Sequence, residues 1–204
     1  MGLQKREAGR LPEMENGRVI LLNGESSSGK STLARALQDR IELPFWHISI
    51  DHLRDSGVLP TARIARGDFA WSELRDGFFL GFEQSLLAYL RAGNNLIVEH
   101  ILENRAWARR LAVTLAEQDV FFVGLRCELG ELERRERARG DRRIGDARRD
   151  HASVHRYGRY DLEVDGTQPP ADNAERLIQA WRRRSRPSAL QLMGVDDGQG
   201  EQPA

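Results

Sequence analysis

The chain has a single cysteine in 204 residues. Cys127 alone makes neither an internal disulfide nor a cysteine-based metal site, which suits a reducing compartment. No apolar run is long enough to span a bilayer, and Met1-Gly2-Leu3-Gln4-Lys5 opens without a signal-peptide core. A soluble, cytoplasmic protein with no membrane partner is therefore expected. Net charge is missing as well: 31 basic residues balance 31 acidic ones, and the pI is about 7. That balance sets up no field to draw nucleic acid, so none is expected as a partner. Lysine is nearly absent. Of the 31 basic residues only Lys5 and Lys30 are lysines.

One of those two stands where a phosphate-binding loop needs it. Gly24-Glu25-Ser26-Ser27-Ser28-Gly29-Lys30-Ser31 fits G-x-x-x-x-G-K-[ST]. A compact ammonium can lie along the β- and γ-phosphates, where a planar guanidinium fits poorly. Residues 18–23 read as a buried strand ahead of the loop, and 32–37 as a helix behind it. Loop amides and the positive end of that helix would surround a polyphosphate. Gly24 to Thr32 are thus expected to bind a nucleoside triphosphate, with Ser31 on its magnesium ion.

The length suits one α/β domain. Residues 1–17 and 185–204 are polar and aperiodic and read as flexible tails around a domain of 18–184. Further strands are expected at 45–50, 95–101, 119–125 and 160–164, all but the last as apolar runs buried on both faces. Helices are expected between them. Trp71–Arg91 stops at Gly93, residues 103–117 have Asn104 as a cap, and 172–184 opens on an Asp172-x-x-Glu175 capping box. Strands alternating with helices imply right-handed βαβ units and a three-layer α/β/α sandwich, with ligands beyond the carboxyl ends of the strands.

Residues at those strand ends carry the functional reading. Asp51 follows the second strand, where a kinase places the base that takes the acceptor's proton; it would also serve as a helix N-cap. Glu99 ends the third strand and would hold magnesium or help position the acceptor, or would be a buried carboxylate bonded to loop amides. His100 beside it reads as a pocket wall or a polar contact to substrate. Residues 131–149 form a charge run rich in arginine and punctuated by Gly140 and Gly145. It reads as a solvated helix with i,i+4 ion pairs or as a helical lid, in which Arg139 and Arg142 would close over the phosphates.

Several segments resemble chloramphenicol phosphotransferase. They are Asn23 to Ser31, Ile50-Asp51-His52-Leu53, Arg91-Ala92-Gly93, Val123-Gly124-Leu125-Arg126-Cys127, Arg135 to Arg142 and Tyr160-Asp161-Leu162-Glu163-Val164-Asp165. They recur in the same order from about residue 19 to 182. The resemblance implies a P-loop kinase fold with a five-stranded parallel sheet, and ATP-dependent phosphorylation of a primary hydroxyl on the antibiotic. It matches the catalytic base to Asp51, the loop lysine to Lys30, and the phosphate-contacting lid arginines to Arg139 and Arg142. This chain departs from the family at Glu99-His100, where paired aspartates are expected, and across 54–71, which should line the acceptor pocket.

The expected activity is ATP- and magnesium-dependent transfer to a small hydroxylated molecule. Phe69, Trp71 and Phe78 would stack on an aromatic acceptor, although the helical periodicity of 69–82 favours core over pocket. Arg63 or Arg66 would take a polar substituent, or an anionic acceptor such as a nucleotide sugar, as in the zeta-type toxins. A nucleotide-binding module without transfer is the remaining alternative, and it has no use for a base at Asp51.

Overall fold

The computed structural model describes residues 15–139, 144–156 and 159–196. Its strands are β1 (Arg18–Gly24), β2 (Phe45–Ser49), β3 (Asn95–His100), β4 (Asp119–Arg126) and β5 (Leu162–Asp165). They form one sheet in the order β2-β3-β1-β4-β5, with every neighbouring pair parallel. β1, β3 and β4 are central and buried on both faces, which is why they read as apolar runs; the edge strands β2 and β5 are partly exposed.

The helices are α1 (Lys30–Gln38), α2 (Ile50–Asp55), α3 (Thr61–Ala65), α4 (Trp71–Arg91), α5 (Arg105–Thr114), α6 (Leu129–Arg139), α7 (Asp146–His151), α8 (Pro170–Arg182) and α9 (Ala189–Asp196). The period of two along each strand sorts side chains into two cores. Ile20 and Leu22 of β1, with Ile97, Phe121 and Val123, pack under α1 and α8. Val19 and Leu21, with Leu96, Val98 and Phe122, pack under α4 and α5. The result is a three-layer α/β/α fold with a five-stranded parallel sheet. No helix among the described residues is long and apolar enough to cross a membrane.

Several boundaries differ from the sequence reading for local reasons. Asn104 does cap α5, its Oδ1 accepting from Trp107 N at 2.9 Å. α8, however, begins at Pro170 rather than Asp172. The fixed φ of proline and its missing N–H suit the first helical position, so the expected capping box is not the start. The tail reading of 185–204 also fails where the chain is described. α9 lies against α5, and Leu190 is fully buried in the second core. Leu190→Ala is expected to cost about 2–5 kcal/mol in urea unfolding, as a core truncation does. A flexible tail would lose nothing.

Candidate active site

The site is built around the turn after β1. Gly29 adopts φ 102°, a left-handed conformation open to glycine, and lets the chain enter α1 directly at Lys30. Ser27 sits at φ 65° without being glycine, a strained position that costs of order 1 kcal/mol. No side chain caps α1 among the described residues, so its first amides keep their donor capacity for a ligand. The hydroxyls of Ser27 and Ser28 are buried and have no hydrogen-bond partner among the described residues.

Lys30 is buried and donates from Nζ to the carbonyls of Gly24 and Glu25, both at 2.7 Å. Burial lowers its pKa from the ordinary lysine value, against the opposing pull of Glu99, Asp150, Glu25 and Asp51. The orphan hydroxyls and the uncapped helix start lack acceptor oxygens, which a polyphosphate would supply beside the Lys30 ammonium. Gly24 to Thr32 therefore fit a nucleoside triphosphate. A cavity of about 780 Å³ opens over this loop, and Lys30, Ser31, Asp51, Glu99 and Arg139 all line it.

Asp51 is not a helix cap. α2 starts at Ile50 on Ser49, whose Oγ accepts from His52 N at 3.2 Å. The Asp51 carboxylate instead pairs with Arg54 at 3.0 Å and is about one-third exposed (34%) on the cavity wall. Such a pair contributes at most about 1 kcal/mol and holds the group in place rather than burying it.

Glu99 lies beside Leu22 of β1 and Ser49 of β2 in the sheet register, directly under the loop. It accepts from Ser31 Oγ at 3.0 Å and forms a short hydrogen bond with His47, not bonds to loop amides. Burial alone would raise its pKa. The His47 hydrogen bond, the Lys30 charge and the Ser31 hydroxyl outweigh it and hold Glu99 below the usual carboxylate value. Hydroxyl and carboxylate oxygens side by side suit magnesium. Among the described residues no cluster of three or more His, Cys, Asp or Glu forms a complete metal site. A cation here would therefore fill its shell with phosphate oxygens and water.

His100 points to the other face of the sheet, as the strand alternation demands. It contributes to the cavity lining, but its ring is fully buried beside Phe79, Phe82 and Trp107, at centroid distances of 5.9, 6.1 and 6.3 Å. Neither ring nitrogen has a hydrogen-bond partner among the described residues, and the nearest carboxylate oxygen, on Glu83, is 3.9 Å away. Burial pushes its pKa down to about 4, against an opposing pull from the Ile101 backbone. The fold thus holds the neutral ring, whereas an unfolded histidine gains its proton near pH 6.5. Stability from this group is complete above pH 6.5 and falls as pH drops from there towards 4. Urea unfolding at pH 7 and pH 5 is expected to show about 2 kcal/mol less loss in His100→Phe than in wild type. Equal losses would place the pH dependence elsewhere.

The charge run 131–149 supplies one wall. Arg134, Arg135, Ala138 and Arg139 of α6 face the cavity, and Arg142 lies outside the described residues. Arg135, which the sequence does not single out, is tied to three elements. It donates to Ser28 O at 3.2 Å, to Gly166 O at 2.9 Å and to Glu131 at 2.6 Å, so one side chain joins the loop, the turn after β5 and α6. His47 was passed over too.

The aromatic acceptor residues are not brought to this cavity. Among the described residues that line it, Phe69, Trp71 and Phe78 are absent. Phe69 lies under the Arg63 guanidinium at 4.3 Å, and Trp71 meets Phe78 edge-on at 5.7 Å. Half-buried aromatics at the start of α4 have paired with one another and with a cation instead. Arg63 and Arg66 both close on Asp68, at 3.0 and 3.3 Å.

Known proteins resemble this chain in sequence and in fold. The family model described as chloramphenicol phosphotransferase-like protein matches residues 17–182. Two curated Mycobacterium tuberculosis proteins, from strains CDC 1551 and H37Rv, carry the name "Putative O-phosphotransferase". Each is 29% identical over 184 residues, covering 81% of this chain and 82% of its own. Among solved structures, the M. tuberculosis APS kinase CysC in complex with AMPPNP and APS superposes with a TM-score of 0.61 at 21% identity, over 82% of this chain and 98% of its own. A gluconokinase from Sinorhizobium meliloti 1021 gives 0.57 at 17% identity, over 92% and 99%. The Deinococcus radiodurans tunicamycin resistance protein gives 0.57 at 16% identity, over 83% and 98%. At these identities the structural likeness establishes the fold.

Proposed function

The chain belongs to the chloramphenicol phosphotransferase-like family, and from that premise we propose that it is an ATP- and magnesium-dependent kinase acting on the hydroxyl of a small molecule. The observation that carries this reading is that Lys30, Ser31, Asp51 and Glu99 line one cavity at the carboxyl ends of β1, β2 and β3. A nucleotide-binding module would also use Lys30, Ser31 and Glu99, but has no use for a proton acceptor at Asp51.

Lys30 and the loop amides hold the β- and γ-phosphates, and Ser31 with Glu99 holds magnesium, which offsets phosphate charge when bound. Asp51 accepts the proton of the acceptor hydroxyl. The acceptor oxygen bonds to the γ-phosphorus as the bond from that phosphorus to the bridging oxygen breaks, and ADP departs with the released electron pair. Arg139, with Arg142 beyond it in the chain, stabilises charge on the group in flight.

For the acceptor we favour an uncharged alcohol such as chloramphenicol. The support for it is the family match, since neither the aromatic residues Phe69, Trp71 and Phe78 nor Arg63 and Arg66, which an anionic acceptor would use, line the cavity. The test is ADP release stimulated by chloramphenicol, with the product's mass checked for an added phosphoryl group. Folded, ATP-binding protein that leaves the drug unmodified would exclude the antibiotic and leave other hydroxyls to be screened.

A further inference from the structure

The phosphate loop is held from behind by residues that take no part in the cavity wall. Glu25 is the loop's second residue, and its carboxylate is buried. It accepts from His151 Nδ1 at 3.1 Å and from His155 Nε2 at 3.2 Å. Nδ1 of His155 meets the Tyr160 hydroxyl at 2.7 Å, and that oxygen accepts from Asn23 Nδ2 at 2.8 Å. The polarity runs one way. Asn23 donates to Tyr160, Tyr160 to His155 and His155 to Glu25, a tautomer assigned from these partners. Asn23 is the last residue before the loop, so both ends of the chain of bonds close on the loop itself.

Three further features support a dedicated backing. Burial pushes the Tyr160 hydroxyl up to about 12, so it keeps the proton it donates. The strand makes room for this ring, since a Cβ at Gly124 would lie 2.6 Å from it. Asp150, from the same segment as the two histidines, accepts from the loop amide Ser26 N at 3.1 Å. Among the described residues that line the cavity, none of Asp150, His151, His155 and Tyr160 appears.

The loop needs such support. Ser26-Ser27-Ser28 contains no glycine, and Ser27 is held at positive φ. An unsupported Glu25 would also place an anion beside the polyphosphate. We propose that His155 is a positioning residue for nucleotide binding: it holds Glu25, and through it the shape of the phosphate loop, without touching the nucleotide. The inference rests on the phosphate-loop reading of Lys30. The segment is tied in turn to α6, because buried Glu136 accepts from Gly145 N at 2.9 Å and Ala147 N at 2.8 Å at the start of α7.

The test is calorimetric titration of the full chain with Mg-AMPPNP, beside thermal melting without ligand. His155→Phe keeps the ring and removes both hydrogen bonds. It is expected to weaken binding about tenfold or more, while kcat at saturating ATP changes less than about threefold. Adding Glu25→Gln to it should weaken binding by less than the product of the two single effects, because both act through one contact. Should His155→Phe fail to fold, Tyr160→Phe carries the test, with an expected weakening of about threefold. A lower melting temperature with binding within about twofold of wild type would overturn the proposal, leaving His155 a purely structural residue. Lys30→Ala is the control. If it binds AMPPNP like wild type, the phosphate-loop reading itself falls and this proposal with it; if it loses binding while His155→Phe and Tyr160→Phe do not, only this proposal falls.

Discussion

Asp51→Asn is expected to leave nucleotide affinity and melting temperature near wild type while lowering kcat by about 10²–10⁴, the range for removing a general base. The amide keeps the shape of the side chain but takes no proton. The α2 cap belongs to Ser49, and the pair that the Asp51 carboxylate makes with Arg54 is part-exposed, so an isosteric amide at this position should cost the fold little. Steady-state rates and titration with AMPPNP check it together. A variant that melts early yet turns over normally would assign Asp51 to the fold.

Lys30→Ala is expected to abolish transfer, by about 10³ or more in kcat/KM, because charge stabilisation at the transferring phosphoryl group is the largest catalytic contribution in such sites. The fold should survive. Among the described residues Lys30 donates to two carbonyls of its own loop, and its burial works against its charge. Circular dichroism and melting confirm folding, and single-turnover transfer reads the effect. Turnover like wild type would remove Lys30 from the phosphates.

The central strands were legible because β1, β3 and β4 are buried on both faces, so their apolar runs survive without any partner in view. The loop was legible because its spacing is local. What remained hidden depends on pairs far apart in the chain. His47 meets Glu99 across 52 residues, and His155 meets Glu25 across 130. Neither histidine carries a local signal that separates it from a core or surface residue. Arg135 was masked differently. Its ion pair with Glu131 at i,i+4 looks like any solvated helix pair, and only the folded chain brings Ser28 and Gly166 within its reach. α9 was lost to its flanks, since Ser185-Arg186-Pro187-Ser188 reads as polar linker while one leucine, Leu190, anchors the helix. The aromatic residues misled for the opposite reason. The family resemblance suggested a stacking wall where helical spacing favoured core, and Trp71 and Phe78 have found each other, as Phe69 has found Arg63.

Phosphoryl transfer from γ-labelled ATP, measured with wild type, Lys30→Ala and Asp51→Asn side by side, tests the central claim most directly. Chloramphenicol and a panel of hydroxylated small molecules serve as acceptors, and products are read by mass. Label is expected on an acceptor hydroxyl with wild type and is expected to be lost in both variants, with Asp51→Asn still binding the nucleotide. Label reaching the acceptor as fast in Asp51→Asn as in wild type, or passing only to inorganic phosphate whatever the acceptor, would contradict that claim.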